Sequence, residues 1–209
     1  MSEAIRAAFL QAAGEAASLV GRREVGDRWN DPSVLEELAI GPLAGHLARA
    51  VLTVHWYLDM PEAEPPTITA GEYYATITGG DPQSPENVAI RARAAEAARG
   101  GWARLYLDVG NALDHLRRRL GDERADHRIA TGGRALLLDE YLKTRIVELV
   151  VHVGDLCRSL DLAVPEMREA SRVAIGTLVD AAIARHGAAA VLHGLARREL
   201  DHLDALRVL

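Results

Sequence analysis

Apolar residues recur every three or four positions over most of this chain, which is the spacing of amphipathic helices. The pattern predicts five long helices, and glycine, proline and hydroxyl residues mark their ends. These helices cover about residues 2–20, 41–59, 84–120, 139–160 and 165–186, and a shorter amphipathic segment covers 188–200. Residues 61–85 are irregular, and residues 73–77 fit a short helix or a strand equally well.

Local signals refine the helix ends and the connections. Ser33 and Glu36 have the spacing of a capping box, which predicts a single helical turn there. The glycine pair at 100–101 predicts a kink in the third helix, and Asp139 is the expected N-cap of the fourth. A loop is expected before Asp139, around the glycine pair at 132–133.

The fold class follows from the helices and the composition. Apolar residues make up 49% of the chain but aromatic residues only 4%, a mix that favours helix over strand. Four long helices with connections that keep them neighbours predict an all-α fold, an antiparallel four-helix bundle. We expect the bundle to cover residues 1–163 and a helical extension packed on it to cover 164–209, where the tail 205–209 fits a strand or packed coil.

The fourth helix carries a narrow polar seam on an otherwise apolar surface. At about 100° per residue, all the polar seam residues lie within roughly 60° of Glu148. They are Tyr141, Arg145, Glu148, His152, Asp155 and Ser159. Glu148 and His152 are four residues apart and therefore side by side on the helix. The spacing predicts that both can bind one divalent cation.

A third ligand must come from another helix, and His46 is the best candidate. It shares one face of the second helix with Thr53 and Tyr57, and a buried histidine must be hydrogen-bonded or ligated. Two imidazoles and one carboxylate leave zinc an open position for water or substrate. His55 lies on the opposite side of that helix, and the remaining histidines are expected at the surface: His115, His127, His186, His193 and His202.

Two more seam residues are candidate catalytic groups. Arg145 lies one turn before Glu148 and can hold an anionic substrate group, whereas Asp155 lies one turn after His152 and can orient a ligand histidine. Two alternatives remain open without a metal. Glu148 and His152 can simply share a hydrogen bond, or Arg145 can pair with Glu148 or Asp155 in a buried ionic network.

Charge and cysteine content narrow the classes of partner. The net charge of −6 argues against nucleic acid and against an anionic membrane as a partner. The single cysteine, Cys157, excludes an internal disulfide and favours a reducing cytoplasm; it lies opposite Glu148 on the helix, as a packing residue. No signal peptide or transmembrane segment is expected, so a cytoplasmic location is predicted.

Two motifs carry a family resemblance. H-L-A-R at residues 46–49 and E-x3-H-x2-D-L at residues 148–156 resemble the DinB superfamily. Within it the chain is most similar to the metal-binding domain of mycothiol-dependent maleylpyruvate isomerase. The resemblance implies a four-helix bundle that binds a divalent metal, usually zinc, through His46, Glu148 and His152. It also implies a low-molecular-weight thiol such as mycothiol as a cofactor.

These observations lead to two hypotheses of different classes. The first is a zinc-dependent enzyme, an S-transferase or isomerase, that uses a small thiol on an electrophilic small molecule. The second is a non-catalytic bundle that binds a small molecule or a protein, with a structural metal or none. In either case, apolar stripes on the last two helical segments are compatible with a homodimer.

Overall fold

The computed structural model of the protein describes residues 2–76 and 83–197, which form nine helices and one β-hairpin. The helices are α1 (Ser2–Val20), α2 (Arg23–Asp27), α3 (Ile40–Tyr57), α4 (Ala70–Ala75), α5 (Pro85–Ala98), α6 (Gly101–Arg119), α7 (Leu138–Ser159), α8 (Arg168–His186) and α9 (Ala188–Ala196). The hairpin strands are β1 (Arg128–Thr131) and β2 (Arg134–Leu137). The predicted all-α class is confirmed.

Four helices, α1, α3, α6 and α7, pack around one apolar core as a bundle. The side chain of Arg6 joins the start of α1 to Asp139 at the start of α7, so these two helices run in one direction. Arg119 at the end of α6 donates to the carbonyl of Leu58 just after α3, so α3 and α6 also share a direction. Arg6 further donates to the carbonyl of Leu120. The two pairs are therefore antiparallel to each other.

The long connection from α3 to α6 brings α5 against α3. Gly45 makes this contact possible, because a Cβ atom there would overlap the carbonyl oxygen of Ala94. Ser84 caps α5 as predicted, its hydroxyl accepting a hydrogen bond from the backbone of Asn87 at 3.2 Å. The predicted kink at the glycine pair is a break, since α6 starts anew at Gly101 with φ +77°. The α5 helix thus covers the side of α3 next to His46.

Other local predictions are wrong. The predicted single turn of helix is absent from residues 33–36, because the Ser33 hydroxyl closes a turn with the backbone of Leu35 and Leu38. A short helix that was not predicted, α2, lies before this turn in the chain. Asp139 does not cap α7, which begins one residue sooner, and its carboxylate pairs with Arg6 at 3.1 Å. The fifth helix begins at Arg168 and not at Pro165.

The predicted loop before α7 contains the antiparallel hairpin β1–β2. Its two-residue turn consists of Gly132 and Gly133, with φ of +56° and +73°, and positive φ at both central positions is the geometry of a type I′ turn. Segment 73–77 is helical up to Ala75 within α4. Residue 77, the predicted helix end at 200 and the tail 205–209 lie outside the described residues.

The helices after the bundle pack on it through α8, which contacts α4 and α7, while α9 packs on α8. Several apolar side chains of these two helices are exposed: Ile175, Ile183, Leu192 and Leu195. A homodimer through them stays a prediction. In the described part of the chain, no helix is both long enough and apolar enough to cross a membrane.

Candidate metal centre

The three predicted metal ligands lie together where α3 and α7 face each other. One oxygen of Glu148, Oε2, is 3.2 Å from Nε2 of His46 and 3.4 Å from Nε2 of His152. One ligand atom from each side chain lies within 4.8 Å of the other two. All three side chains are half-buried, with 17–19% exposed. The structure therefore brings together on one point the residues that the spacing singled out.

The antiparallel packing of α3 and α7 explains this convergence. Thr53 and Tyr141 are hydrogen-bonded at 2.9 Å two turns away from the centre, and His46 lies opposite Glu148 in the same register. Because α7 presents Glu148 and His152 on one face, a single residue from α3 completes the cluster.

A second group of contacts orients two of these side chains, His152 and Glu148. Asp155, which is only 6% exposed, accepts a hydrogen bond from Nδ1 of His152 at 2.9 Å and one from Arg158 at 2.5 Å. The hydroxyl of Tyr74 lies 3.0 Å from the other carboxylate oxygen of Glu148, Oε1. The predicted contact between Asp155 and His152 is thus present.

The electrostatics of the cluster follow from these bonds. Burial alone would lower the pKa of His152, but its hydrogen bonds to Asp155 and Glu148 raise that pKa to about 9. For Glu148, burial raises the pKa, but hydrogen bonds from His152 and His46 lower it well below the usual range. In the absence of a metal, the cluster therefore holds an imidazolium between two carboxylates.

The donor set fits a divalent metal of the zinc type. Two imidazole nitrogens and one carboxylate oxygen are ligands that zinc takes in catalytic sites, and a carboxylate behind a ligand histidine is their usual companion. If a metal displaces the Nε2 proton of His152, the remaining proton on Nδ1 is directed to Asp155 and Nε2 offers a lone pair to the shared point. Nδ1 of His46 is buried and has no partner among the described residues.

Two residues of the cluster, His46 and Glu148, form part of the wall of a cavity of about 310 Å³ with a cationic lining. Its three arginines are Arg49, Arg93 and Arg145. Burial, and then the charge of Arg93, lowers the pKa of Arg49. The guanidinium of Arg145 lies 5.1 Å from the centre of the Tyr141 ring. This cavity suits an anionic molecule.

The alternative prediction, a buried ionic network in which Arg145 pairs with Glu148 or Asp155, is wrong. No carboxylate in residues 2–76 and 83–197 lies within ion-pair distance of Arg145, whose Nε bonds to the hydroxyl of Thr144 at 3.1 Å. The ion-pair partners of Asp155 are His152 and Arg158. Arg145 therefore keeps its charge directed at the cavity, whose lining it shares with Glu148.

The other histidines follow the sequence predictions only in part. His186 and His193 are exposed as expected, and His202 lies outside the described residues. His127 is not at the surface: it is 8% exposed and 3.3 Å from Glu123. His115 is half-buried against His55, with 4.6 Å between the ring centres. Cys157 is buried, as the helical wheel predicted.

Sequence reasoning missed Arg49 and Arg93 on the cavity wall, and it missed Tyr73 and Tyr74. Arg49 lies one turn after His46 on the same helix, so the H-L-A-R motif itself contained that signal. Tyr74 belongs to a segment with no clear helical or strand period. Its one local signal is the capping box of Thr69 with Glu72, which marks the start of α4.

Among the comparisons with known proteins, the one against protein-family models gives a match. The family model described as the mycothiol maleylpyruvate isomerase N-terminal domain matches residues 9–157 of this chain. No curated protein matches, and no solved structure matches. The matched residues include His46, Glu148 and His152, whereas α8 and α9 lie beyond them.

Proposed function

The chain belongs to the mycothiol maleylpyruvate isomerase N-terminal domain family, and on this basis we propose that it is a metal-dependent enzyme that uses a small thiol. The reaction is an S-transfer or an isomerisation of a small electrophilic molecule, and mycothiol is the thiol that the family description favours. One observation carries the proposal. Three ligand atoms from His46, Glu148 and His152 converge on one point, and His46 and Glu148 also line a cationic cavity.

Zinc is the metal that this donor set favours. A zinc ion held by these residues would lower the pKa of a bound thiol and so supply a thiolate nucleophile at neutral pH. Asp155 accepts a hydrogen bond from the Nδ1–H group of His152 and thereby fixes the tautomer that leaves Nε2 free for the metal. A reducing cytoplasm, which a lone cysteine favours, would keep a small thiol reduced.

Arg145 is the proposed anchor for an anionic group of the electrophilic substrate. It lines the cavity beside Glu148, and no carboxylate among the described residues pairs with it. A guanidinium can donate two parallel hydrogen bonds to a carboxylate. Such an anchor orients the electrophilic carbon relative to the metal ligands, and orientation contributes to the rate. Arg49 adds positive charge to the same wall.

The first test is the metal itself. Protein purified without added metal is analysed for metal content and then titrated with Zn²⁺. We expect about one zinc per chain with tight binding, and Glu148→Ala should reduce the stoichiometry. Less than a tenth of a metal per chain, with no uptake on titration, would remove the mechanism.

The second test is the thiol. Protein substituted with Co²⁺ is mixed with a low-molecular-weight thiol, and the spectrum is recorded. A new thiolate-to-metal absorption band is expected, because the donor set supplies only three protein ligands. A variant with His46→Ala and an alcohol analogue of the thiol serve as controls.

A specific observation also supports a second candidate, a non-catalytic bundle that binds a small molecule or a partner. The carboxylate of Glu148 already has His46, His152 and Tyr74 as partners, so its two oxygens are satisfied without a metal. In this case the cavity would bind an anion through its arginines alone. Anion binding that persists unchanged in metal-free protein, together with no thiolate band in the cobalt protein, would favour this candidate.

A further inference from the structure

The two oxygens of the Glu148 carboxylate have different partners. Oε2 faces the two imidazoles, at 3.2 and 3.4 Å. Oε1 is 3.0 Å from the hydroxyl of Tyr74, which also lies 2.9 Å from the carbonyl of Thr144. Tyr74 is only 1% exposed, so its single proton is shared between these two acceptors without competition from solvent. The carboxylate is thus held with a single oxygen directed at the point shared with the imidazoles.

The position of Tyr74 depends on a short helix, α4, that is fixed at both ends. At its start, the backbone of Ala70 donates to the carboxylate of Glu140 on α7 at 2.8 Å. At its end, the guanidinium of Arg185 on α8 donates to the carbonyl of Tyr74 itself at 2.9 Å. Between them, Gly71 allows a close approach, because a Cβ atom there would lie 2.8 Å from Cβ of Asp180 on α8.

We infer that Tyr74 is a positioning residue for the metal ligand Glu148, and that α8 holds it in place through Arg185. The inference rests on the proposed function, since it assigns a role relative to the proposed metal. It extends that function to α8, which lies beyond the residues that match the family model. By occupying Oε1, the phenol keeps the carboxylate from offering both oxygens to one ion and so preserves the open position for the thiol.

The protonation of Tyr74 is compatible with this role. Burial, and then the charge of Glu148, raises the pKa of its phenol well above the ordinary value of 10. The hydroxyl therefore stays protonated at physiological pH and can donate. The conservative change Tyr74→Phe removes only that hydroxyl and leaves the ring in the core.

The decisive experiment measures the dissociation constant for Co²⁺ and Zn²⁺, by competition with a chelator, in full-length wild type and variants. Loss of an outer contact to a metal ligand typically weakens metal binding about 10- to 100-fold, and we expect this loss for Tyr74→Phe. The visible spectrum of the cobalt protein should also change, because Glu148 becomes free to bind through both oxygens. The matched control is Tyr141→Phe, which removes another buried hydroxyl, bonded to Thr53 at 2.9 Å, without contact to Glu148.

A double-mutant cycle tests the role of α8. Arg185→Met should weaken metal binding in the wild-type background but cause no further loss in the Tyr74→Phe background, since coupled residues are not additive. Equal losses in the two backgrounds would show that Arg185 acts by another route. Arg185→Lys, which keeps a donor, should restore part of the affinity.

The outcomes separate this inference from the proposed function. Wild-type protein that binds neither metal overturns both. Wild-type protein that binds metal, with Tyr74→Phe within twofold of it in affinity and identical in cobalt spectrum, overturns the inference alone. If Tyr74→Phe does not fold, Arg185→Met decides: unchanged affinity and spectrum refute the role of α8, and a loss with an altered spectrum supports it.

Discussion

Replacing the carboxylate of Glu148 by an amide tests the centre directly. Glu148→Gln keeps the shape of the side chain and its contact with Tyr74, but it removes the negative charge between the imidazoles of His46 and His152. The folded protein lowers the pKa of Glu148, so the charged form contributes to stability above the unfolded pKa of about 4.5. That contribution is absent from the variant at neutral pH.

The size of the effect can be worked out for the metal-free and for the zinc-bound protein. Without metal, losing charged hydrogen bonds at a half-buried site costs about 1–3 kcal/mol in the free energy of unfolding. With Zn²⁺ at about 100 times its dissociation constant, the free energy of unfolding of the wild-type protein rises by about 2.7 kcal/mol. For a chain of this size, 1 kcal/mol corresponds to about 2–4 °C in Tm, so zinc should raise the wild-type Tm by roughly 5–11 °C. The variant, which lacks the anionic ligand, should keep only a small part of this shift.

The assay is thermal unfolding followed by circular dichroism, with chelator and with Zn²⁺. The matched control is Glu123→Gln, which alters another half-buried carboxylate beside a histidine, His127 at 3.3 Å, far from the centre along the chain. It should lose stability without metal but keep the full zinc shift. The reasoning is refuted if Glu148→Gln shows the same zinc shift as wild type.

Three further predictions concern His152, Arg145 and Gly45. The pKa of His152, raised from 6.5 to about 9, adds stability to the metal-free protein that is complete below pH 6.5 and lost as pH rises through 9. Zinc must displace that proton, so its affinity should rise about tenfold per pH unit up to pH 9 and then level off, as chelator competition will measure. Arg145→Met should raise KM for an anionic electrophile about 10- to 100-fold in steady-state kinetics, with zinc affinity unchanged. Gly45→Ala, which forces α3 against the Ala94 carbonyl, should cost about 1–3 kcal/mol in urea unfolding, whereas Gly110→Ala, with open space around it, should cost nothing.

Helical periodicity accounts for most of what could be predicted. The long helices α1, α3 and α7 were predicted to within about two residues, because apolar residues at every third or fourth position need a buried face. Helix caps were less predictable. Ser84 caps α5 as expected, but Asp139 serves the fold through Arg6, a partner 133 residues away, which no local pattern contains.

The candidate ligands were predictable for the same local reason. Glu148 and His152 share a helical face by spacing alone, and His46 stood out as polar on an apolar face. Arg93 and Tyr74 could not be found in this way. They reach the site only because α5 packs on α3 and α4 is fixed between α7 and α8.

The sequence by itself determined the helices, the polar seam on α7 and the identity of the three ligand candidates, because these depend on spacings of three and four residues along one helix. The tertiary structure alone decided that His46 lies 3.2 Å from Glu148 across 102 residues of chain, and that Arg145 faces a cavity rather than a carboxylate. Such contacts depend on helix direction, register and close approach at residues such as Gly45 and Gly71. These are properties of packed surfaces, and no single segment encodes them.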